Sequence, residues 1–306
     1  MQTGSTNVSS NTSSNEASAS SGVSSGRQTR ALSLRSVADL LLRYSVLLLF
    51  GVGCLIPLFW VLSSSLKTTR EIALNPLGLP TSWHFGNYVQ AWVQGHFADY
   101  FINSVIVSVP IVLGTCLLSA LAGYGFARFK FPGASLLFYL FLLGLMIPFQ
   151  SLMIPLFYIL KDINFLGTYW AMIFPSIALG LSFGIFFMRA FFVGLPQELA
   201  DAAMIDGCNE FGVFWRVLLP LAGPALSTLA VLNFMGAWNS FLLPLIYMQR
   251  EALRPLVLGL MFFQGRFTQN YPLTMAGATI TMLPIIILYL FFQRQFVQGL
   301  TAGALK

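Results

Sequence analysis

The sequence predicts an all-α integral membrane protein of six transmembrane helices with a polar, cytoplasmic loop between the fourth and fifth. Three observations carry the membrane assignment. Of 306 residues, 57% are hydrophobic and only 8% charged, a balance far to the membrane side of soluble proteins. Six windows hold no Asp, Glu, Lys or Arg: 44 to 66, 100 to 127, 131 to 160, 163 to 188, 217 to 249 and 267 to 293. Each exceeds the roughly 20 residues that a helix needs to cross about 30 Å of hydrocarbon. Runs such as Ser45 to Phe50 and Pro284 to Phe292 are apolar on every side, where barrel strands would alternate.

The elements follow in order. Residues 1 to 30 are expected to form a disordered Ser/Asn-rich tail, because the first 26 hold too little apolar surface to offset the entropy of ordering. No apolar stretch precedes Arg27, which argues against a cleaved secretory signal. Residues 31 to 43 space their apolar positions as an amphipathic helix that can lie on the inner leaflet before the first span. In the third span Gly144, Pro148, Ser151 and Pro155 recur on one helical face, which two prolines should kink, with Gln150 beside it. Ser176, Gly180 and Gly184 in the fourth span are spaced for close helix packing. In the fifth, Asn233, Gly236, Ala237 and Ser240 share a face, with Trp238 and Asn239 adjacent. For Gln150, Asn233 and Asn239 two readings stand side by side, interhelical packing and lining of a path, since polar groups at membrane depth must be buried or wetted.

Orientation comes from the basic residues flanking the spans. Ten (Arg27, Arg30, Arg35, Arg43, Arg128, Lys130, Arg189, Arg216, Arg294 and Lys306) fall on one side and six (Lys67, Arg70, Lys161, Arg250, Arg254 and Arg266) on the other. The richer side is expected to be cytoplasmic, with both termini. Cys54, Cys116 and Cys208 are scattered singly, and His84 and His96 have no partner at metal-ligand spacing. There is no phosphate-binding Gly loop, no nucleophile elbow and no ionisable residue at mid-span. The chain therefore reads as neither an enzyme nor a proton-coupled carrier, with no cofactor, metal or nucleic-acid partner of its own. Whatever drives transport is expected to sit elsewhere.

Between the fourth and fifth windows lies a polar island holding four of the ten acidic residues, Glu198, Asp201, Asp206 and Glu210. Pro196 suits a first turn, Glu198 complements the positive end of a helix, and Gly207 supplies a stop that tolerates positive φ. Ala200, Ala203 and Met204, with Ala202, are expected to offer a small-residue surface to a partner. After the break, Asn209 can cap a second helix carrying Phe211, Phe214 and Trp215. An acidic helix is repelled by an anionic inner leaflet, so docking on a cytosolic protein is the favoured reading over rest on lipid headgroups.

These residues resemble a known family. Asp201-Ala202-Ala203, three residues, Gly207, nine residues, Val217-x-Leu219-Pro220 is similar to the signature loop of ABC importer permeases, with Asp for Glu and Val for Ile. Ser65 to Thr68 with Glu71-Ile72, Asn87-Tyr88, Asn103-Ser104, Ala127-Arg128-Phe129, Met146 to Gln150, Trp238-Asn239 and Gly299 to Lys306 resemble its carbohydrate-uptake branch. Within it, the chain is similar to the maltose-type permease that ends in a short C-terminal tail, rather than to its larger partner permease.

The resemblance implies a permease domain over 31 to 306, with a coupling loop at 195 to 220 and a tail at 297 to 306. It implies ATPase docking through Glu198, Asp201, Ala202, Ala203, Asp206, Gly207 and Phe211, with Thr301, Gly303 and Lys306 in a tail that reaches the ATPase. It also places Gly265 and Gln269 near the tip of a loop toward an external sugar-binding protein. On the path-lining reading of the polar span residues, Gln150, Ser151, Asn233, Trp238 and Asn239 are the expected substrate-path positions. The implied partners are a second permease subunit, two cytoplasmic ATPase subunits that hold ATP and Mg, the binding protein and membrane lipid. A permease for a non-sugar solute is one alternative, and a stand-alone secondary transporter or channel another.

Overall fold

The computed structural model describes the backbone of residues 34 to 264 and 270 to 304, and side chains of 40 to 264 and 270 to 294. The expectations for the N-terminal tail, Gly265, Gln269 and Lys306 therefore lie outside the described residues. Of two compact units, Met1–Gly53 and Cys54–Lys306, the second carries every site below.

All regular elements among the described residues are helical, apart from one isolated bridge position at Gln264. Helix α1 (Leu34–Ser65) runs unbroken through Pro57. A separate interfacial helix over 34 to 43 is thus replaced by a continuous extension of the first span. Short α2 (Thr69–Leu74) and α3 (Gly86–Gln94) lead into α4 (Phe97–Arg128), the central strut, which packs on α7 (Trp170–Val193) along most of its length. Between them come α5 (Ala134–Leu143) and α6 (Phe149–Asp162). After α7 follow α8 (Gln197–Ile205), α9 (Glu210–Gly212), α10 (Leu219–Leu221), α11 (Gly223–Trp238), α12 (Leu242–Tyr247), α13 (Leu256–Gly259) and α14 (Tyr271–Ala304).

Four helical stretches are long and apolar enough to cross a membrane: Leu40–Ser65, Phe97–Arg128, Trp170–Val193 and Tyr271–Arg294. The other two expected spans are bent pairs, so six crossings are reached only with each pair taken as one. The third bends by 103° between Ala134–Met146 and Phe149–Asp162. Pro148 has no N–H for the carbonyl of Gly144 and pushes Ile147 into extended backbone (φ −84°, ψ 114°). Pro155, by contrast, sits inside α6 without breaking it. Gly144, Pro148 and Ser151 consequently do not share one helical face. The fifth span bends by 74° between Glu210–Leu221 and Gly223–Trp238 and ends at Trp238. Before that bend, Val213–Leu218 widens into a π-helical turn, where Pro220 cannot return an N–H to the Arg216 carbonyl.

The α4–α7 seam is built from small residues. A Cβ on Gly184 would collide with Ser119 Oγ, and one on Gly180 would lie 3.0 Å from Thr115 Cγ2. One on Gly123 would meet Met188 Cβ at 2.7 Å and the Arg189 backbone nitrogen at 2.9 Å. Close approach thus replaces side-chain interdigitation, as expected where lipid offers no hydrophobic drive between helices. The packing reading for Gly180 and Gly184 stands.

The stretch after α1 is stitched by motif residues between Ser65 and Tyr88. Asn87 Nδ2 donates to the Ser65 and Lys67 carbonyls (2.8 and 3.0 Å), the Tyr88 hydroxyl bonds Ser65 Oγ at 2.7 Å, and buried Lys67 donates to the Asn75 carbonyl at 2.8 Å. Thr68 caps α2, and Glu71 accepts from the Thr81 backbone N–H. That backbone bond, more than anything else, holds the Glu71 carboxyl below its ordinary range. A depressed folded pKa contributes stability above the unfolded value that is lost as pH falls through the folded one. Protection of the Thr81 amide, corrected for intrinsic exchange, should therefore fall below the ordinary carboxylate range, and Glu71→Gln should abolish that dependence. Unchanged protection across the range would contradict it.

Candidate coupling loop and central cleft

The island folds as a helix–turn–helix whose buried residues join the core formed by one end each of α4, α7 and α11. α8 starts after Pro196, whose extended backbone (φ −57°, ψ 134°) puts it just outside the first turn. It ends in a paired closure: the Cys208 N–H donates to the Ala203 carbonyl and the Gly207 N–H to that of Met204, both at 3.0 Å. That geometry requires Gly207 in the left-handed region, and its φ is 88°. A Cβ there would meet nothing within 4 Å, so backbone conformation alone selects glycine. Asn209 then caps the next helix, its Oδ1 accepting from the Gly212 N–H at 2.8 Å.

Burial sorts the two faces of the loop. Ala200 and Ala203 are 2% and 7% exposed and pack with Tyr124, Met188, Phe192, Phe214 and Leu218. Ala203 therefore turns into the chain's own core and offers no surface to a partner; its small size suits the packing of α8 on the Val213–Leu218 turn. Glu198, Leu199, Ala202, Met204, Ile205, Asp206, Gly207 and Phe211 are exposed instead, with Ile205 at 87% and Phe211 at 66%. Ile205, with the Asp206 carboxylate beside it, is thus left on the loop's exposed face.

Two polar bonds tie the loop to α4. Arg128 donates to Asp201 Oδ1 at 3.1 Å, and the Tyr124 hydroxyl donates to Glu210 Oε2 at 2.8 Å. Tyr124 packs among Phe129, Phe192 and Phe214, with ring centroids at 5.7, 5.9 and 5.1 Å. Sequence reasoning gave Asp201 an outside partner and did not pair Arg128 or Tyr124 with the loop. Arg128 stood in the quoted Ala-Arg-Phe motif, but its partner lies 73 residues away.

Toward the membrane interior, a cleft of about 370 Å³ opens between the start of α6, α7, α11 and α12. Gln150, Ser176, Gly180, Asn233 and Ser240 supply its polar and small lining, with Phe149 and Phe241 as aromatic walls. Asn233 donates to the Leu229 carbonyl of its own helix at 2.8 Å, and its Oδ1 faces Gly180. Of the five proposed path residues, Gln150 and Asn233 reach this cleft; Ser151, Trp238 and Asn239 do not line it. Trp238 is 2% exposed, donates its indole N–H to the Thr281 carbonyl at 3.1 Å, and stacks on Phe234 at 5.2 Å. It fastens α11 to α14. Asn239 is the exposed C-cap of α11, placed there because the helix ends one residue earlier.

The opposite end of α4 carries a third polar knot. Asn103 Nδ2 donates to the Ala252 and Arg254 carbonyls at 2.8 and 3.0 Å, while its Oδ1 accepts from the Tyr169 hydroxyl at 2.6 Å. The Leu256 N–H donates to Ser104 Oγ at 2.7 Å. Asn103→Ala would orphan Tyr169 and both carbonyls, at about 1–3 kcal/mol. Faster proteolysis between Arg250 and Arg254 is the expected result, and unchanged cleavage would contradict this role.

A helical membrane chain with an acidic helix–turn–helix loop and a cleft between its spans has the build of a transport permease. Residues 116 to 302 match the family described as binding-protein-dependent transport system inner membrane component. The chain is 39% identical to a probable ABC transporter permease protein, YurM, of Bacillus subtilis over 260 residues, 85% of this chain and 86% of that one. It is 36% identical to the diacetylchitobiose uptake system permease protein NgcG of Streptomyces coelicolor, over 86% and 88% of the two chains. It is 38% identical to the arabinooligosaccharides transport system permease protein AraQ of Halalkalibacterium halodurans, over 82% and 90%. A crystal structure of a bacterial ABC transporter involved in the import of the acidic polysaccharide alginate shares the fold, with a TM-score of 0.72 at 22% identity over 86% of this chain and 98% of that one.

The chain belongs to the binding-protein-dependent ABC importer permeases, multi-pass proteins of the inner membrane. Family membership removes the stand-alone carrier or channel. In such systems ATP is bound and hydrolysed by a separate subunit, and the permease carries no cofactor.

Proposed function

We propose that this chain is half of the translocation path of an ATP-driven importer for a di- or oligosaccharide or a related polyol. The observation that carries it is the exposed face of the capped 197 to 221 loop, in the same chain as a cleft with amide and hydroxyl lining. Amide and hydroxyl groups beside aromatic walls suit a neutral polyhydroxylated solute. Named sugar systems among its relatives, for diacetylchitobiose and arabinooligosaccharides, support the same substrate class.

In this reading both termini and the loop face the cytoplasm. Glu198, Ala202, Asp206, Gly207 and Phe211 meet one of two ATPase subunits. Thr301 and Gly303, in the last turns of α14, lead toward the ATPase with Lys306. A second, non-identical permease completes the path, and the stretch around Gly265 and Gln269 meets a sugar-binding protein outside. Gln150 and Asn233 touch the passing solute. Residues 31 to 306 form the permease domain and 1 to 30 a cytoplasmic tail. ATP-driven closure of the ATPase pair then acts on the loop, and the two states must differ in loop contacts, because an equal interaction shifts no equilibrium.

Equilibrium binding of the cognate external receptor to a panel of di- and oligosaccharides, polyols, phosphate and polyamines tests the substrate class. Tight binding of a saccharide or polyol is expected; a preference for phosphate or polyamine would overturn it.

A further inference from the structure

We propose that residues 74 to 93, which join α1 to α4, form a membrane anchor whose partner is the boundary between phospholipid headgroups and acyl chains. The connection is built for lipid in its composition. Residues 72 to 98 hold no Asp, Glu, Lys or Arg, yet Pro76, Gly78 and Pro80 keep them from forming a span. Leu74, Leu77, Leu79, Trp83 and Phe85 are 59% to 76% exposed, an apolar surface that water alone would not favour.

Its depth is set by hydrogen bonds that fold it back along α1. The Trp60 indole N–H donates to the Pro76 carbonyl and Ser63 Oγ to that of Gly78, both at 2.9 Å, while the His84 N–H donates to the Leu66 carbonyl at 3.0 Å. Trp60 precedes the end of α1 at Ser65 by about 7–8 Å, at about 1.5 Å of rise per residue. Leu77 and Leu79 therefore stand level with the last turn and a half of a span, within the roughly 5–10 Å that an interfacial segment buries. Leu58, Phe59 and Leu62 of α1 are exposed at that level too, so the apolar surface runs on into that of the span.

α3 then divides into three strips, as a helix lying at a membrane surface beside a protein must. Buried Ala91 and half-buried Asn87 and Tyr88 face the chain itself, where α3 packs on α14 and α4. Val89, Trp92 and Val93, continuous with Phe85, form an exposed apolar strip, and Gln90 and Gln94 an exposed polar one. Acyl chains suit the second strip and water the third, with Trp83 and Trp92 adding rings that favour the headgroup level. The turn into α4 is tight: His96 has a φ of 51°, and a Cβ on Gly95 would meet the Ala91 carbonyl oxygen and Phe97 Cε1, both at 2.8 Å. An anchored α3 thereby fixes the height at which α4 begins. None of this depends on the solute or on the ATPase.

The test places the complete complex in nanodiscs of phosphatidylethanolamine and phosphatidylglycerol. A nitrobenzoxadiazole dye is attached to Leu77→Cys, Val89→Cys, Gln90→Cys or Gln94→Cys, one at a time, in a chain carrying Cys54→Ser, Cys116→Ser and Cys208→Ser. Dye at 77 and 89 should be quenched by nitroxide-bearing lipid at least about threefold more than dye at 90 and 94, which iodide in the water should quench instead. Iodide quenching at 77 and 89 equal to that at 90 and 94 would overturn the anchor and leave the face to water or the receptor. Silence to both quenchers at 77 and 89 would overturn it in favour of cover by the second permease. If the cysteine replacements lower the amount of complex, a benzophenone amino acid at 77 and at 89 in the otherwise unaltered chain decides. Lipid adducts after illumination support the anchor; their absence, or a crosslink to a permease or the receptor, refutes it.

Discussion

Gly207→Pro is expected to leave the chain inserted and to separate ATP hydrolysis from uptake. Gly207 sits at φ 88° and donates its N–H to the Met204 carbonyl. Proline fixes φ near −65° and has no N–H, so the turn between α8 and α9 cannot close. Even an ordinary residue at such a φ costs about 1–3 kcal/mol. Because a Cβ there meets nothing, Gly207→Ala pays only the conformational part and should be much milder. Uptake should fall at least about tenfold in Gly207→Pro, with chain in the membrane unchanged. Normal uptake would remove the turn from the coupling account.

Gly123→Leu is expected to have the largest effect on folding. The new side chain would enter where Met188 Cβ and the Arg189 backbone already stand within 3 Å, and backbone cannot be displaced locally. Overpacking of this kind costs about 1–3 kcal/mol or more, at a seam where Gly180 and Gly184 also lie close to Thr115 and Ser119. Gly125 lies two residues on with open space around its Cβ, so Gly125→Leu is the matched control. Loss of folded chain in the first and near-normal amounts in the second, read by size-exclusion of detergent extracts, is the expected pair. Equal amounts of both would deny the seam its role.

What could be read ahead of the structure was local. The Gly207 stop and the Asn209 cap depend on bonds within five residues, and both appear as expected. The proline at 148 announced a kink, but its 103° depended on Ile147 as well, and the pattern of small residues on one face lost its meaning at that break. Trp238 and Asn239 looked like path residues because they are polar-tipped and beside Asn233. The indole's partner is the Thr281 carbonyl, 43 residues later, and no period in the sequence points to it. The Arg128 tie to Asp201 was illegible for the same reason, since Arg128 is distant in sequence and close in space. Ala203 was placed on the wrong face of α8, because alanine spacing marks close approach without saying to what.

The central claim is that this permease moves its solute only when a separate ATPase acts on the 197 to 221 loop. Vesicles holding the complete complex, and vesicles holding this chain and its partner permease alone, should be compared for uptake of the saccharide that the receptor binds. Uptake requiring Mg-ATP, the receptor and the ATPase subunit, and absent from the permeases alone, is the predicted result. Saturable, ATP-independent uptake by the permeases alone would contradict the account.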